Sequence, residues 1–188
     1  MINVADVQML FVDLQPELTS GCKTILPQAL AANAAVLANV GQLVDVPITF
    51  SVVPVQGAPG QLIAELAPYS NSGNTFPRVV AGPFMDPALA SRLAAHERKT
   101  LIVSGFTAEV AVTQAALGAL SADYTVFVPV DAIGSRSVRT ESAALRMMER
   151  AGAIPASVQT LAAFLAPDFS RPPGSDVLAT FVRLCPSE

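Results

Sequence analysis

Three places along this chain put reactive groups where a strand would end. Asp13 closes an almost continuously apolar run, Val-Gln-Met-Leu-Phe-Val at 7–12, so a carboxylate stands at the carboxyl end of a buried strand. Arg78 lies on the approach to a further strand region. The stretch 105–113, Gly-Phe-Thr-Ala-Glu-Val-Ala-Val-Thr, reads as a strand-to-helix junction whose free N–H groups would face an anion or a developing oxyanion. A carboxylate that can move a proton, a permanent cation and a helix start make up an anion-handling set. In an open parallel sheet, ligands bind outside the carboxyl ends of the strands.

The same residue types also have structural uses. An Asp after a strand is often a turn or cap residue, and an Arg is often on the surface. Glu109 near a helix start complements the helix dipole, Thr107 reads as an N-terminal cap, and Asp131 after Val130 reads as a structural cap. His96, in Ala-Ala-His-Glu-Arg-Lys, reads as an exposed, non-catalytic helix end. Cys22 reads as a buried or incidental thiol. Residues 52–56 contain no Asp or His, so no metal site is expected there, and no cofactor is implied.

The elements that must position these groups follow from apolar patterning. Residues 7–12, 47–53, 100–104 and 124–130 read as strands, with a last short one at 154–158. Residues 27–43, 86–96, 108–120 and 138–151 read as helices, with a further helical turn at 161–165. Pro27 and Pro87 fall in first turns, Asp86 is an N-cap, and Gly152 closes a C-terminus. Residues 54–77 are rich in Pro and Gly and read as a surface excursion with a short helix at 61–66. Repeated strand-helix alternation predicts a three-layer α/β/α domain with a central parallel sheet over residues 1–165. Residues 166–188 read as a Pro-rich C-terminal tail, whose apolar segment 177–184 is expected to dock on a neighbouring subunit.

The chain has 188 residues, of which 52% are hydrophobic and 14% charged, which suits one well-buried domain and excludes disorder. Eleven Lys and Arg against fifteen Asp and Glu leave a net charge of −4, which offers no electrostatic reason to seek nucleic acid. The uncharged stretch 24–44 is mostly alanine in its apolar content and is broken by Pro27, Gln28, Asn33, Asn39 and Gln42. It therefore reads as a helix packed on a sheet rather than a membrane span. The start of the chain carries Asp6 and no basic residue, unlike a signal peptide. Two distant cysteines do not suggest a disulfide framework. A cytoplasmic location is the expectation.

Phe-Val-Asp-Leu-Gln at 11–15, Arg78 with Phe84 six residues on, Gly-Phe-Thr-Ala-Glu-Val-Ala-Val at 105–112 and Val-Asp-Ala at 130–132 together resemble the isochorismatase-like hydrolases. This family, also called the cysteine hydrolase superfamily, includes nicotinamidases and N-carbamoylsarcosine amidases, and the resemblance covers roughly residues 7–165. It implies a Rossmann-like sheet, a homo-oligomer and a small-molecule substrate, with Asp13 as base. Arg78 stands where a Lys supports that base, and Ala111 stands where amide-cleaving members carry the Cys nucleophile. It also implies a cis peptide at Phe106–Thr107, oxyanion-stabilising N–H groups at Val110 and Ala111, and substrate contacts from Phe84, Thr107 and Val110. Phe84 reads equally as core or as pocket wall.

A methyl cannot form a thioester, so the covalent route is closed at Ala111. An engineered replacement would change one residue, whereas both Ala111 and Arg78 depart from the pattern, which favours natural divergence. True isochorismatases also lack the Cys and use the Asp as a proton donor. A guanidinium beside Asp13 is expected to favour the carboxylate and make Asp13 a poorer acid. Two readings stand: a hydrolase working without cysteine, in which Arg78 holds an anionic group of the substrate, and a catalytically degenerate member that binds a ligand or assembles with a partner.

Overall fold

A computed structural model describes residues 2–186. Its centre is β1 (Val7–Val12), buried at every position, beside β4 (Thr100–Phe106), also buried throughout. Two such strands satisfy each other's backbone and need apolar cover on both faces. A seven-stranded sheet grows from them, with β2 (Ile48–Val52), β3 (Thr75–Pro77), β5 (Thr125–Pro129) and β7 (Ile154–Ala156) in the order β3-β2-β1-β4-β5-β7. The two-residue β6 (Ile133–Gly134) pairs with β4, and every pairing is parallel.

Alternation along β1 divides the core. Met9 and Phe11 point into one apolar cluster, with Phe11 stacked on Phe50 at 5.3 Å between centroids. That cluster is covered by α2 (Pro27–Leu43), α6 (Val158–Leu165) and α7 (Gly174–Thr180), with α1 (Pro16–Thr19) above it at the strand ends. Leu10 and Val12 point into the other cluster, under α3 (Pro87–Ala94), α4 (Thr113–Ser121) and α5 (Val138–Ala151). The three-layer α/β/α architecture is the one expected. Asp86 caps α3 by accepting from the N–H groups of Ala88 and Leu89, and Gly152 ends α5 in a left-handed conformation.

Three expectations need correction. The excursion 54–77 carries its helical turn at Ala64–Tyr69 and then forms β3, an edge strand whose Pro77 is tolerated because no further strand needs its missing N–H. The helix expected at 108–120 begins as a π-helical turn, Ala108–Val112, and becomes α-helical only from Thr113. The segment after 165 is not a loose tail but folds onto its own chain. Val177 of α7 is fully buried in the first cluster, and Gly174 comes so close to the Asp168 carbonyl that any side chain there would strike it. Buried Asn33 of α2 staples this segment down, donating to the Asp131 and Cys185 carbonyls at 2.8 and 3.1 Å and accepting from the Cys185 N–H at 2.9 Å. Among the described residues no helix is long and apolar enough to cross a membrane.

Candidate active site

Asp13 leaves β1 in a left-handed conformation, φ 56°, which aspartate tolerates better than most residues. Its N–H donates to the Ser51 carbonyl and its carbonyl accepts from the Gln15 N–H, each at 2.9 Å. Arg78 is the first residue after β3, and its N–H donates to the Val52 carbonyl at 2.9 Å, carrying the strand pairing one step further. The two buried side chains meet as a fork. Nη1 donates to Oδ1 of Asp13 at 2.5 Å and Nη2 to Oδ2 at 2.8 Å. Nη1 also donates to Ser51 Oγ at 2.9 Å and Nη2 to the Ala81 carbonyl at 3.2 Å, while Nε is buried without a partner.

One correction follows from this geometry. Both Nη atoms are occupied by protein, so Arg78 has no free face with which to hold a substrate anion. Burial pushes the Asp13 carboxyl above its ordinary value and outweighs the opposing pull of the Arg78 hydrogen bonds and charge. Arg78 does favour the carboxylate, as expected, but the net shift runs the other way because burial is the larger effect.

Beside Asp13, Gln15 does work that its place in the sequence did not announce. Its fully buried amide mimics a strand: Nε2 donates to the Val53 carbonyl at 2.9 Å and Oε1 accepts from the Val53 N–H at 2.7 Å. Gly60 lies against this clamp, where a side chain would collide with both the amide and the Val53 carbonyl. The loop leaving β2 is thereby fixed to the segment leaving β1.

At the end of β4, Gly105 packs against the Val12 backbone too closely for a side chain, and the Phe106–Thr107 peptide is cis. In the π-helical turn that follows, the N–H groups of Val110 and Val112 both donate to the Thr107 carbonyl at 3.2 Å. Val110 therefore does not offer a free N–H, a second departure from expectation, and its side chain is exposed. Ala111 turns its methyl into the apolar cluster that holds Val12, the residue before Asp13. Thr107 is half-buried and its hydroxyl makes no capping bond.

Phe84 stands apart from these groups. Its ring lies against Gly118 in α4 and edge-on to Tyr124, 5.7 Å between centroids. Tyr124 precedes β5, so Phe84 packs half-buried against the core toward the amino ends of the strands. Asp131 is a structural cap, accepting from the Val158 N–H at 2.9 Å. Glu109 is more than a first-turn acid: it accepts from Ser135 Oγ at 2.5 Å and Thr140 Oγ1 at 3.1 Å, tying the π-helical turn to α5. His96 is half-buried rather than exposed, with Nε2 3.4 Å from Thr49 Oγ1. Cys22 is buried. Among the described residues no group of three or more His, Cys, Asp or Glu side chains is placed to hold a metal ion.

The family model described as the isochorismatase domain matches residues 4–160. The chain belongs to the isochorismatase family. It is similar to the probable hydrolase YcaC of Escherichia coli, 28% identical over 155 residues that cover 79% of this chain and 72% of that protein. The crystal structure of E. coli YcaC, described as an octameric hydrolase of unknown specificity, superposes with a TM-score of 0.90 at 24% identity, covering 98% of this chain and 91% of that one. A ribonuclease structure from Caenorhabditis elegans, MAR1, superposes with a TM-score of 0.87 at 22% identity over 99% of this chain and 95% of that one. At these identities the two structures bear on the fold alone.

Proposed function

We propose that this protein is a hydrolase that works without a cysteine nucleophile on a small carbonyl- or carboxylate-bearing metabolite. One observation carries the reading. A buried carboxylate gripped by a guanidinium stands at the strand ends, its side chain still 10% exposed, while position 111 offers only a methyl. In the proposed step, Asp13 takes a proton from water as the water oxygen bonds to the substrate carbonyl carbon. The bond to the leaving atom then breaks, and that atom takes the proton from Asp13. Burial, which raises the carboxyl, suits a group that must both accept and return a proton. Arg78 orients the carboxylate, and the Ala111 N–H stabilises negative charge on the carbonyl oxygen.

The reading takes a small molecule rather than nucleic acid as substrate, in keeping with the net charge of −4. It also takes a cytoplasmic homo-oligomer needing no cofactor. Assembly is supported by the octameric description of E. coli YcaC and by the exposed apolar side chains Leu26, Val79, Val138 and Val182. A second reading, a non-catalytic binding or assembly protein, is favoured by the occupation of both Asp13 oxygens by Arg78. A broad hydrolase screen of the wild type, D13N and A111C separates the two. Turnover by the wild type that D13N abolishes supports hydrolysis, whereas turnover that appears only in A111C supports the second reading.

A further inference from the structure

If the substrate carries an anion, as the proposed function allows, some cation must receive it, and Arg78 is already engaged. Lys23 stands at the same end of the sheet, its N–H donating to the Ser135 carbonyl at 2.8 Å, but among the described residues nothing fixes its ammonium, and the other basic side chains with assigned contacts are elsewhere. Arg98 donates to the Val4 and Val7 carbonyls, and Lys99 lies over Tyr124, both at the amino ends of the strands. Arg171 is paired with Asp168 beyond α6.

Arg136 is different. It follows β6 at the carboxyl ends of the strands, it is exposed, and among the described residues no carboxylate lies within ion-pair distance of it. Its guanidinium is nevertheless held in place. It lies over the Phe106 ring with its central carbon 5.9 Å from the centroid, and it rests on Gly21, where an added side chain would come within 3.1 Å of Nη1. Stacking on an aromatic face fixes the plane of a guanidinium and leaves its N–H edge free for a carboxylate.

The strand register sets this cation at a useful distance from Asp13. Val12 pairs with Gly105, Gly105 with Ile133 and Phe106 with Gly134. Asp13, Phe106 and Gly134 therefore form the next row, which spans two strand spacings or about 10 Å. Arg136 projects from just beyond that row, back over Phe106 and toward the segment that leaves Asp13. We infer that Arg136 is the specificity-determining residue that binds a carboxylate of the substrate, a few bonds from the carbon on which Asp13 acts.

This inference rests on the hydrolase reading for its meaning but is tested without turnover. Calorimetric titration at constant ionic strength uses succinate as the probe and succinamide as its neutral counterpart. Succinate is expected to saturate the wild type and to bind R136Q about tenfold or more weakly, the loss expected for charge-assisted hydrogen bonds. R136K should recover binding only in part, because an ammonium lacks the planar fork. G21A should weaken binding in the same direction by pushing the guanidinium off its seat. R139Q, which removes an exposed charge three residues on, should bind like the wild type, and succinamide should bind weakly to every variant. The inference is overturned if succinate does not saturate the wild type, if R136Q binds it as the wild type does, or if R139Q loses as much as R136Q. A protein silent in the hydrolase screen that still binds succinate through Arg136 would remove the hydrolysis and keep the subsite. Carboxylate turnover unaffected by R136Q would do the reverse.

Discussion

Breaking the Asp13–Arg78 fork from either side should be far more costly than removing it whole. D13N leaves a buried guanidinium facing a neutral amide, and R78M leaves a buried carboxyl whose two donors are gone. Asparagine is the right replacement because it also tolerates the left-handed backbone at φ 56°. Losing one partner of a buried, doubly bonded pair costs about 3–5 kcal/mol, or a Tm drop of about 6–20 °C for a domain of this size. The double variant D13N/R78M carries no buried charge and should be more stable than the sum of the single losses implies, with a coupling of about 2 kcal/mol or more. Urea unfolding of the four proteins measures this directly. The pH dependence supplies an independent arm. In R78M, burial alone acts on the Asp13 carboxyl, so its folded pKa rises further. A raised folded pKa gives stability that is present at acid pH and is lost as pH climbs through that value. The deficit of R78M against the double variant should therefore grow from acid to neutral pH, while that of D13N stays flat through the same window. Additive losses, with coupling below about 0.5 kcal/mol, would refute the reasoning.

Q15L should leave the half-buried Val53 N–H and carbonyl without protein partners, costing about 1–3 kcal/mol in all in chemical denaturation. Proteolysis of that variant should cut first in the loop between β2 and β3, which the amide normally holds down. V177A should cost about 1.5–3 kcal/mol, the loss expected for a fully buried valine, and a neutral result would mean that α7 is not part of the core. The single histidine gives a clean NMR titration. Burial and the neighbouring Arg92 and Arg98 charges should hold the His96 midpoint below the ordinary imidazole value, and R98Q should move it upward. Because the unfolded chain then binds the proton more readily, His96 should lower stability as pH falls through its unfolded value.

How much of this was legible beforehand depended on how far each residue's role was set by its own neighbours in the chain. β1 and β4 carry unbroken apolar runs that only a covered parallel sheet can bury, and Asp13 stands at a strand end whatever the rest does. β3 escaped notice because three residues, one of them proline, show no period, and their pairing with β2 exists only across a long excursion. Val177 looked like a patch for a neighbour because nothing local indicates that Asn33, far back in the chain, holds the C-terminal segment onto α2.

The site shows the same division more sharply. The family resemblance implied that Arg78 supports Asp13, and the pair does form, yet the number of donors left over could not be counted until Ser51 and the Ala81 carbonyl were in view. Phe84 was singled out by its offset from Arg78, but an offset says nothing about which way a ring turns, and Gly118 leaves it room to turn inward. Arg136 had no such offset to mark it. What distinguishes it is an unpaired charge, a ring beneath it and a glycine beside it, which come from β6, β4 and the turn after α1. A carboxylate at a strand end can be found by where its strand stops, whereas an unpaired cation must be found by what the folded chain has left unsatisfied.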